Sequence, residues 1–434
     1  MYLYSSLKQR EADARPVRVG LIGAGKFGSM FLSQVPTTPG LIVSVIADLD
    51  PSQAMARCRE VGWEEARLAD TIFTDDPETM IRNEDIDVVL EATGDPAAGI
   101  KHALLCSEHG KHMVMVNVEA DVLAGPWLAK QARQAGLVYS MAYGDQPALT
   151  MEMVDWARSC GFAVVAAGKG TKYLPTYHQS TPDTVWSHYG LTAEQAAAAG
   201  MRSQMFNSFL DGTKSSIEMA AIANAADLQA PTRGLAFPAC GAEELAQVLR
   251  PRDQGGQLEF SGQVEVVSSL KRDGQPVARD LRWGVYCVFE APNDYSAACF
   301  SQYGMNTDES GRYSAMFKPF HLIGLELNIS ILSAALRNQP TGTPICFNAD
   351  VVAIAKRDIN AGEILDGEGG YTVWGRLMPA AASVAAQALP IGLASSIALT
   401  RPVKQDQVIT MDDVSAETTN QAWQVRYEML EHFS

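Results

Sequence analysis

Along the first third of the chain, short apolar runs alternate with longer stretches whose apolar residues recur at helical spacing. VRVGLIG from Val17, LIVSVIADLD from Leu41, IDVVLEATG from Ile86 and KHMVMVN from Lys111 have the near-continuous apolar character of strands buried on both faces. Between them, SQAMARCREVGWEEA and GIKHALLCSEHG supply helical crossovers, so residues 16 to about 145 read as a doubly wound parallel sheet. A short polar helix or arm, residues 1–15, precedes the first strand. Further on, GLVYSMAYGDQPALTMEMVDWARSCG reads strand, loop, helix, and FAVVAAGKG reads as a strand opening into a lysine-bearing loop.

The pattern then changes. An alanine-rich helical stretch starts at Thr192, SSIEMAAIANAAD forms another helix, and QVEVVSSL and GVYCVFEA are strand-like with irregular chain between. After FNADVVAIAKRDINAGEILDGEG the chain becomes short strands punctuated by Gly and Asp, ending in the helical NQAWQVRYEMLEH. The expected fold class is α/β. It combines a Rossmann doubly wound parallel sheet with arm (residues 1–145), an α+β substrate and oligomerisation domain (146–347) and a small mainly β domain (348–434). At roughly 150 residues per domain, 434 residues fit that three-way division.

Charge and cysteine usage narrow the function classes. Thirty-four Lys and Arg against 50 Asp and Glu give a net charge of −16, which disfavours nucleic acid and anionic membranes as partners. The 7 cysteines are scattered singly, with no Cys-x-x-Cys, and fit a reduced, cytoplasmic protein better than a disulfide framework. The N-terminal stretch lacks the apolar segment of a signal peptide, and no run of about 18 apolar residues suggests a membrane span. His109 and His112 lie where a helix ends and a strand begins, a position suited to helix capping rather than to metal. A serine hydrolase is disfavoured because no G-x-S-x-G elbow occurs, and no cysteine nucleophile has an evident base.

The strongest chemical signal is Gly23-Ala24-Gly25-Lys26-Phe27-Gly28, placed between a strand and a helix. Gly23 permits the tight turn, Gly25 lets a pyrophosphate approach the backbone, and Gly28 lets helix and strand pack closely. Asp48, at the end of the second strand, could accept hydrogen bonds from an adenosine ribose, favouring NAD, or could simply serve the turn. Asp50 adds to that bias, whereas Arg57 and Arg59 could reach back toward a 2′-phosphate. Thr93 and Gly94 should skirt the nicotinamide ribose. Asn117 and Glu119 are either cofactor or substrate contacts or caps of the next helix.

The reaction chamber is expected around Gly168-Lys169-Gly170-Thr171-Lys172-Tyr173, whose ammonium groups could meet a carboxylate, phosphate or developing alkoxide. Lys172 is the first choice for polarising a carbonyl, with Lys169 and Lys214 as alternatives, against the reading of each as a solvated loop lysine. In Asp211-Gly212-Thr213-Lys214-Ser215-Ser216-Ile217-Glu218, Lys214 and Glu218 stand four apart and could pair, and Thr213 or Ser215 could cap the helix. The same segment could present Lys214, Ser215 and Ser216 to a phosphate, leaving Glu218 to orient a lysine or hold a metal. Asp145 could contact a polyol or metal, or cap a helix. His178 and His188 could join the site if their loop folds over it.

The glycine fingerprint, Glu91 to Gly94, the Asn117 strand end, and the GDQP and DGTKSSIE segments together resemble an oxidoreductase branch related to homoserine dehydrogenases. VVAIAKRDINAGEILDGEGG followed by GLASSIALTRPVKQDQVITMDDV resembles an SAF domain. The combination resembles the 1-deoxy-D-xylulose 5-phosphate reductoisomerase-like family. That resemblance implies NADPH-dependent conversion of the phosphosugar to 2-C-methyl-D-erythritol 4-phosphate in isoprenoid biosynthesis. It also implies a divalent Mg or Mn ion with no ligands assignable here, a small phosphorylated substrate, and a homo-oligomer. Two other readings stand beside it: a dehydrogenase for a hydroxy or sugar acid, and a nonenzymatic nucleotide-sensing protein.

Overall fold

The computed structural model describes residues 3–415 and 420–433. By contacts the chain forms two compact units, one of residues 1–149, 321–345 and 424–432, the other of 150–320, 346–423 and 433–434. This differs from the three-way division read from the sequence, in which 321–345 lay in the middle domain and the small β region stood apart.

The first unit is built on six parallel strands: β1 (Val17–Ile22), β2 (Leu41–Ala47), β3 (Ile72–Thr74), β4 (Val88–Glu91), β5 (His112–Met115) and β6 (Tyr139–Met141). Their order is β3-β2-β1-β4-β5-β6, so the direction of winding reverses between β1 and β4, where ligands of such sheets collect. Val19, Leu21, Val88, Leu90 and Val114 are buried in one cluster, as the apolar runs require. The helix Leu3–Ala12 joins that cluster through Leu3 and Leu7. The helix Asn328–Arg337 contributes Ile331, Leu332 and Ala334 to the same core, which is why this late segment groups with the first unit. From the terminal helix Gln421–Phe433, Arg426 Nη1 donates to the Leu123 carbonyl at 3.1 Å, and His432 lies 4.4 Å from the Trp127 ring.

The second unit holds a mixed sheet of β7 (Ala163–Thr171), β8 (Gln263–Ser268), β9 (Val285–Glu290) and β10 (Tyr313–Lys318), ordered β10-β9-β7-β8. Only the β7–β8 pair is parallel. Two further ladders follow, β11 (Ala349–Ala355) with β13 (Val373–Pro379) and β12 (Ile364–Asp366) with β14 (Ser395–Ala398), both antiparallel. The helix Thr213–Ala226 packs against β7 and β8 as well as β11 and β13. Its side chains are buried almost throughout, and the run of small residues in SSIEMAAIANAA permits approach from both sides.

Candidate active site

The glycine turn has the form the sequence predicts. Gly23 adopts φ +91°, and a Cβ there would stand 2.7 Å from the Ala92 carbonyl oxygen. A Cβ at Gly28 would meet the Gly23 carbonyl at 2.5 Å, so helix and strand approach as only glycine allows. Gly25 caps the helix Lys26–Gln34 with no side-chain bond, and a Cβ on it would meet nothing within 4 Å. The first amides of that helix therefore border open space, the arrangement that receives a pyrophosphate. Lys26 is exposed on the first turn, and Phe27 packs against the core.

Asp48 closes this turn. One carboxylate oxygen accepts from the Ala24 amide at 2.8 Å and the other from the Asp50 amide at 3.1 Å. Asp50 caps the helix Pro51–Glu60. Of the two arginines that could reach back, Arg57 does so: it donates to the Ala24 carbonyl at 2.8 Å and lies 3.9 Å from Asp48. Arg59 instead pairs with Glu65 at 2.8 Å. Leu49, which the sequence reading passed over, is 99% exposed beside Asp48.

At the end of β4, Thr93 is exposed and donates its hydroxyl to the buried Glu91 at 2.5 Å, while Gly94 turns the chain at φ +74°. Glu91 also faces His102 Nδ1 at 3.4 Å. Asn117 caps the helix Val118–Gln134 by accepting from the Ala120 amide at 3.1 Å, and donates to the Asp95 carbonyl at 2.7 Å. Glu119 occupies the first turn of that helix, where a negative charge is favoured. Asp145 is buried and accepts from the Gln146 amide at 3.0 Å.

In the second unit the expected lysine loop is a strand. Lys169, Gly170 and Thr171 belong to β7, and Lys169 is buried against Glu218, with which it forms an ion pair. Gly168 and Gly170 are required by sheet spacing rather than by mobility, because a Cβ on either would strike the carbonyl oxygen of Glu265 or Leu281. Glu218 therefore pairs with Lys169, a partner distant in sequence. Lys214 is half-buried on the first turn of its helix. Ser215 and Ser216 are buried, and the Ser215 hydroxyl has no hydrogen-bond partner among the described residues. Neither Thr213 nor Ser215 caps the helix: Gly212 does, at φ +93°, and Thr213 Oγ1 accepts from the Gly375 amide at 2.8 Å.

Lys172 lies just past β7, donates to the His188 carbonyl, and stands 5.8 Å from the Tyr189 ring centre. Burial and the Arg282 guanidinium hold its ammonium below the usual lysine range. His178 Nδ1 lies 2.7 Å from the Asp211 carbonyl, so this nitrogen carries the proton. Nε2 then accepts from the Tyr173 hydroxyl at 2.9 Å. The ring is stacked on Trp374 with centres 4.0 Å apart, and burial lowers its pKa. Behind it lies a buried pair with no local sequence signal: Lys356 Nζ donates to Asp211 Oδ2, Ser180 O and Gly370 O, each at 2.8 Å. Among the described residues no group of three or more His, Cys, Asp or Glu side chains could hold a metal ion, so the expected Mg or Mn acquires no ligands. Among them, too, no helix is long and apolar enough to cross a membrane.

The protein is an NAD(P)-dependent oxidoreductase. Residues 17–117 match the oxidoreductase family with an NAD-binding Rossmann fold, and residues 144–327 match the catalytic domain described as oxidoreductase DRL. No curated protein matches the chain closely enough to count as a relative. Similar solved structures include a probable dehydrogenase from Thermotoga maritima, 14% identical, covering 75% of this chain and 90% of that one with a TM-score of 0.39. Another is myo-inositol dehydrogenase from Lactobacillus casei, solved with NAD(H) and myo-inositol, 14% identical over 63% and 71% of the two chains with a TM-score of 0.34. The match at residues 17–117 corrects the resemblance to homoserine dehydrogenases and the reductoisomerase-like family. The features that carried it, a glycine turn and polar strand ends, are what any dinucleotide-binding sheet needs and do not separate one such family from another.

Proposed function

We propose that the protein transfers hydride between a nicotinamide dinucleotide and a carbonyl or hydroxyl carbon of a small polyhydroxylated or acidic compound, with NADH preferred. The observation that carries this reading is the Gly23–Gly28 turn closed by Asp48. When bound, the nicotinamide supplies or accepts the hydride. The open helix start at Gly25 would hold the pyrophosphate, and Asp48 would accept from the ribose hydroxyls. Leu49 offers an apolar surface for the adenine.

In the second unit Lys169 is the group to polarise the carbonyl oxygen and pass it a proton, with Glu218 holding the ammonium in place. The basic residues of this unit suit an anionic substrate, and 1-deoxy-D-xylulose 5-phosphate is therefore the first compound to test, beside hydroxy and sugar acids. Incubation with each nicotinamide and identification of the product tests the proposal. A rearranged, reduced product narrows it to reductoisomerisation, a redox change alone to dehydrogenation, and no nucleotide-linked turnover on any of these compounds rejects it.

Cofactor choice has its own test. Asp48→Ser removes the charge opposing a 2′-phosphate and frees Arg57, 3.9 Å away, to meet one. The NADH-to-NADPH ratio of kcat/KM should fall by about tenfold or more, roughly the 1.4 kcal/mol of one altered contact. An unchanged ratio would place the ribose elsewhere.

A further inference from the structure

We propose that Lys172 and Arg282 form a binding site for a phosphate or carboxylate group. This deepens the functional reading by naming the charge on its substrate, and rests on that reading only for the source of the anion. β7 and β9 run antiparallel with Lys169 opposite Val285, and the Gly170 amide donates to the Gly284 carbonyl at 3.0 Å. Continued three residues beyond the Lys169–Val285 pair, this register would set Lys172 opposite Arg282. Both reach the same aromatic ring: Lys172 Nζ lies 5.8 Å and the Arg282 guanidinium carbon 6.0 Å from the centre of Tyr189. The guanidinium also lies 4.8 Å over Trp283, which is exposed.

Neither cation has a carboxylate within ion-pair distance among the described residues. Two acids of this unit bond to other groups than these side-chain cations. Asp280 accepts from the Arg282 backbone amide at 2.8 Å, and Asp211 is held by Lys356. Like charges on neighbouring chain segments repel, and in a chain of net charge −16 two cations sharing one ring without an ion-paired carboxylate are unexpected. An anion between them removes the repulsion. The guanidinium offers two parallel donors to two oxygens, the ammonium a third, and the ring faces hold the guanidinium in place.

Phosphate titration of the full chain, followed by calorimetry at constant ionic strength with chloride as the control salt, tests the site directly. Saturable binding is expected in the wild type, at least tenfold weaker in Arg282→Gln and in Lys172→Gln, absent in the double variant, and retained in Arg282→Lys. No saturable binding, or binding unchanged in the double variant, overturns the proposal. The source of the anion is read from turnover. If it is the substrate's own group, phosphate competes with substrate, and Arg282→Gln raises KM with little change in kcat. If it is a separate effector, phosphate changes kcat without competing. Phosphate binding that depends on both residues in a protein without hydride transfer would keep the site and reject the functional reading.

Discussion

Lys169→Met should lower kcat by about 10²- to 10⁴-fold, the usual contribution of a positioned proton donor, while dinucleotide affinity stays as it was. The expectation differs from the one placed first on Lys172, whose loss should act on substrate affinity. Removing the Lys169 ammonium also strands Glu218, which is buried at 2% exposure, and breaking such a pair costs about 3–5 kcal/mol. Stability and chemistry are therefore separated with Lys169→Met/Glu218→Gln. This double variant removes both charges and should recover much of the lost stability in a urea titration without recovering turnover. A folded Lys169→Met protein with wild-type kcat would exclude the role.

Lys356→Met is expected to have the largest effect on folding. The ammonium satisfies Asp211 and two carbonyls, and Asp211 is fully buried, so the variant leaves a desolvated carboxylate facing two carbonyl oxygens. A loss of about 3–5 kcal/mol should appear as a lower urea midpoint. Asp211→Asn should cost less, because an amide still accepts from the ammonium. Equal midpoints for wild type and Lys356→Met would show that the pair adds no stability. The consequence reaches the second unit's chemistry as well, since the Asp211 carbonyl fixes which nitrogen of His178 holds the proton.

The parallel sheet was legible because each long strand is buried on both faces and so is written as an apolar run. β3 escaped notice for the converse reason: it has three residues, and Ile72 at its edge is 58% exposed. The glycine turn was legible because its glycines answer local backbone demands. The polar pairs were not. Lys169 with Glu218, Lys172 with Arg282 and Lys356 with Asp211 join residues brought together by sheet register or helix packing, and helical spacing pointed to Lys214 as the partner of Glu218 instead. Lys169 and Gly170 read as loop because glycine usually marks one. Here glycine marks a strand whose neighbours come too close for any side chain.

The segments that complete the nucleotide-binding unit, residues 321–345 and the helix holding Arg426, are synthesised long after its sheet. During translation the second unit is largely made while the first still lacks Ile331 and Leu332 from its core and the Arg426 guanidinium that donates to the Leu123 carbonyl. Domains generally fold as they emerge, amino-terminal first. This order reverses that habit: the early sheet must wait, with part of its apolar face uncovered, for the ribosome to deliver its last pieces.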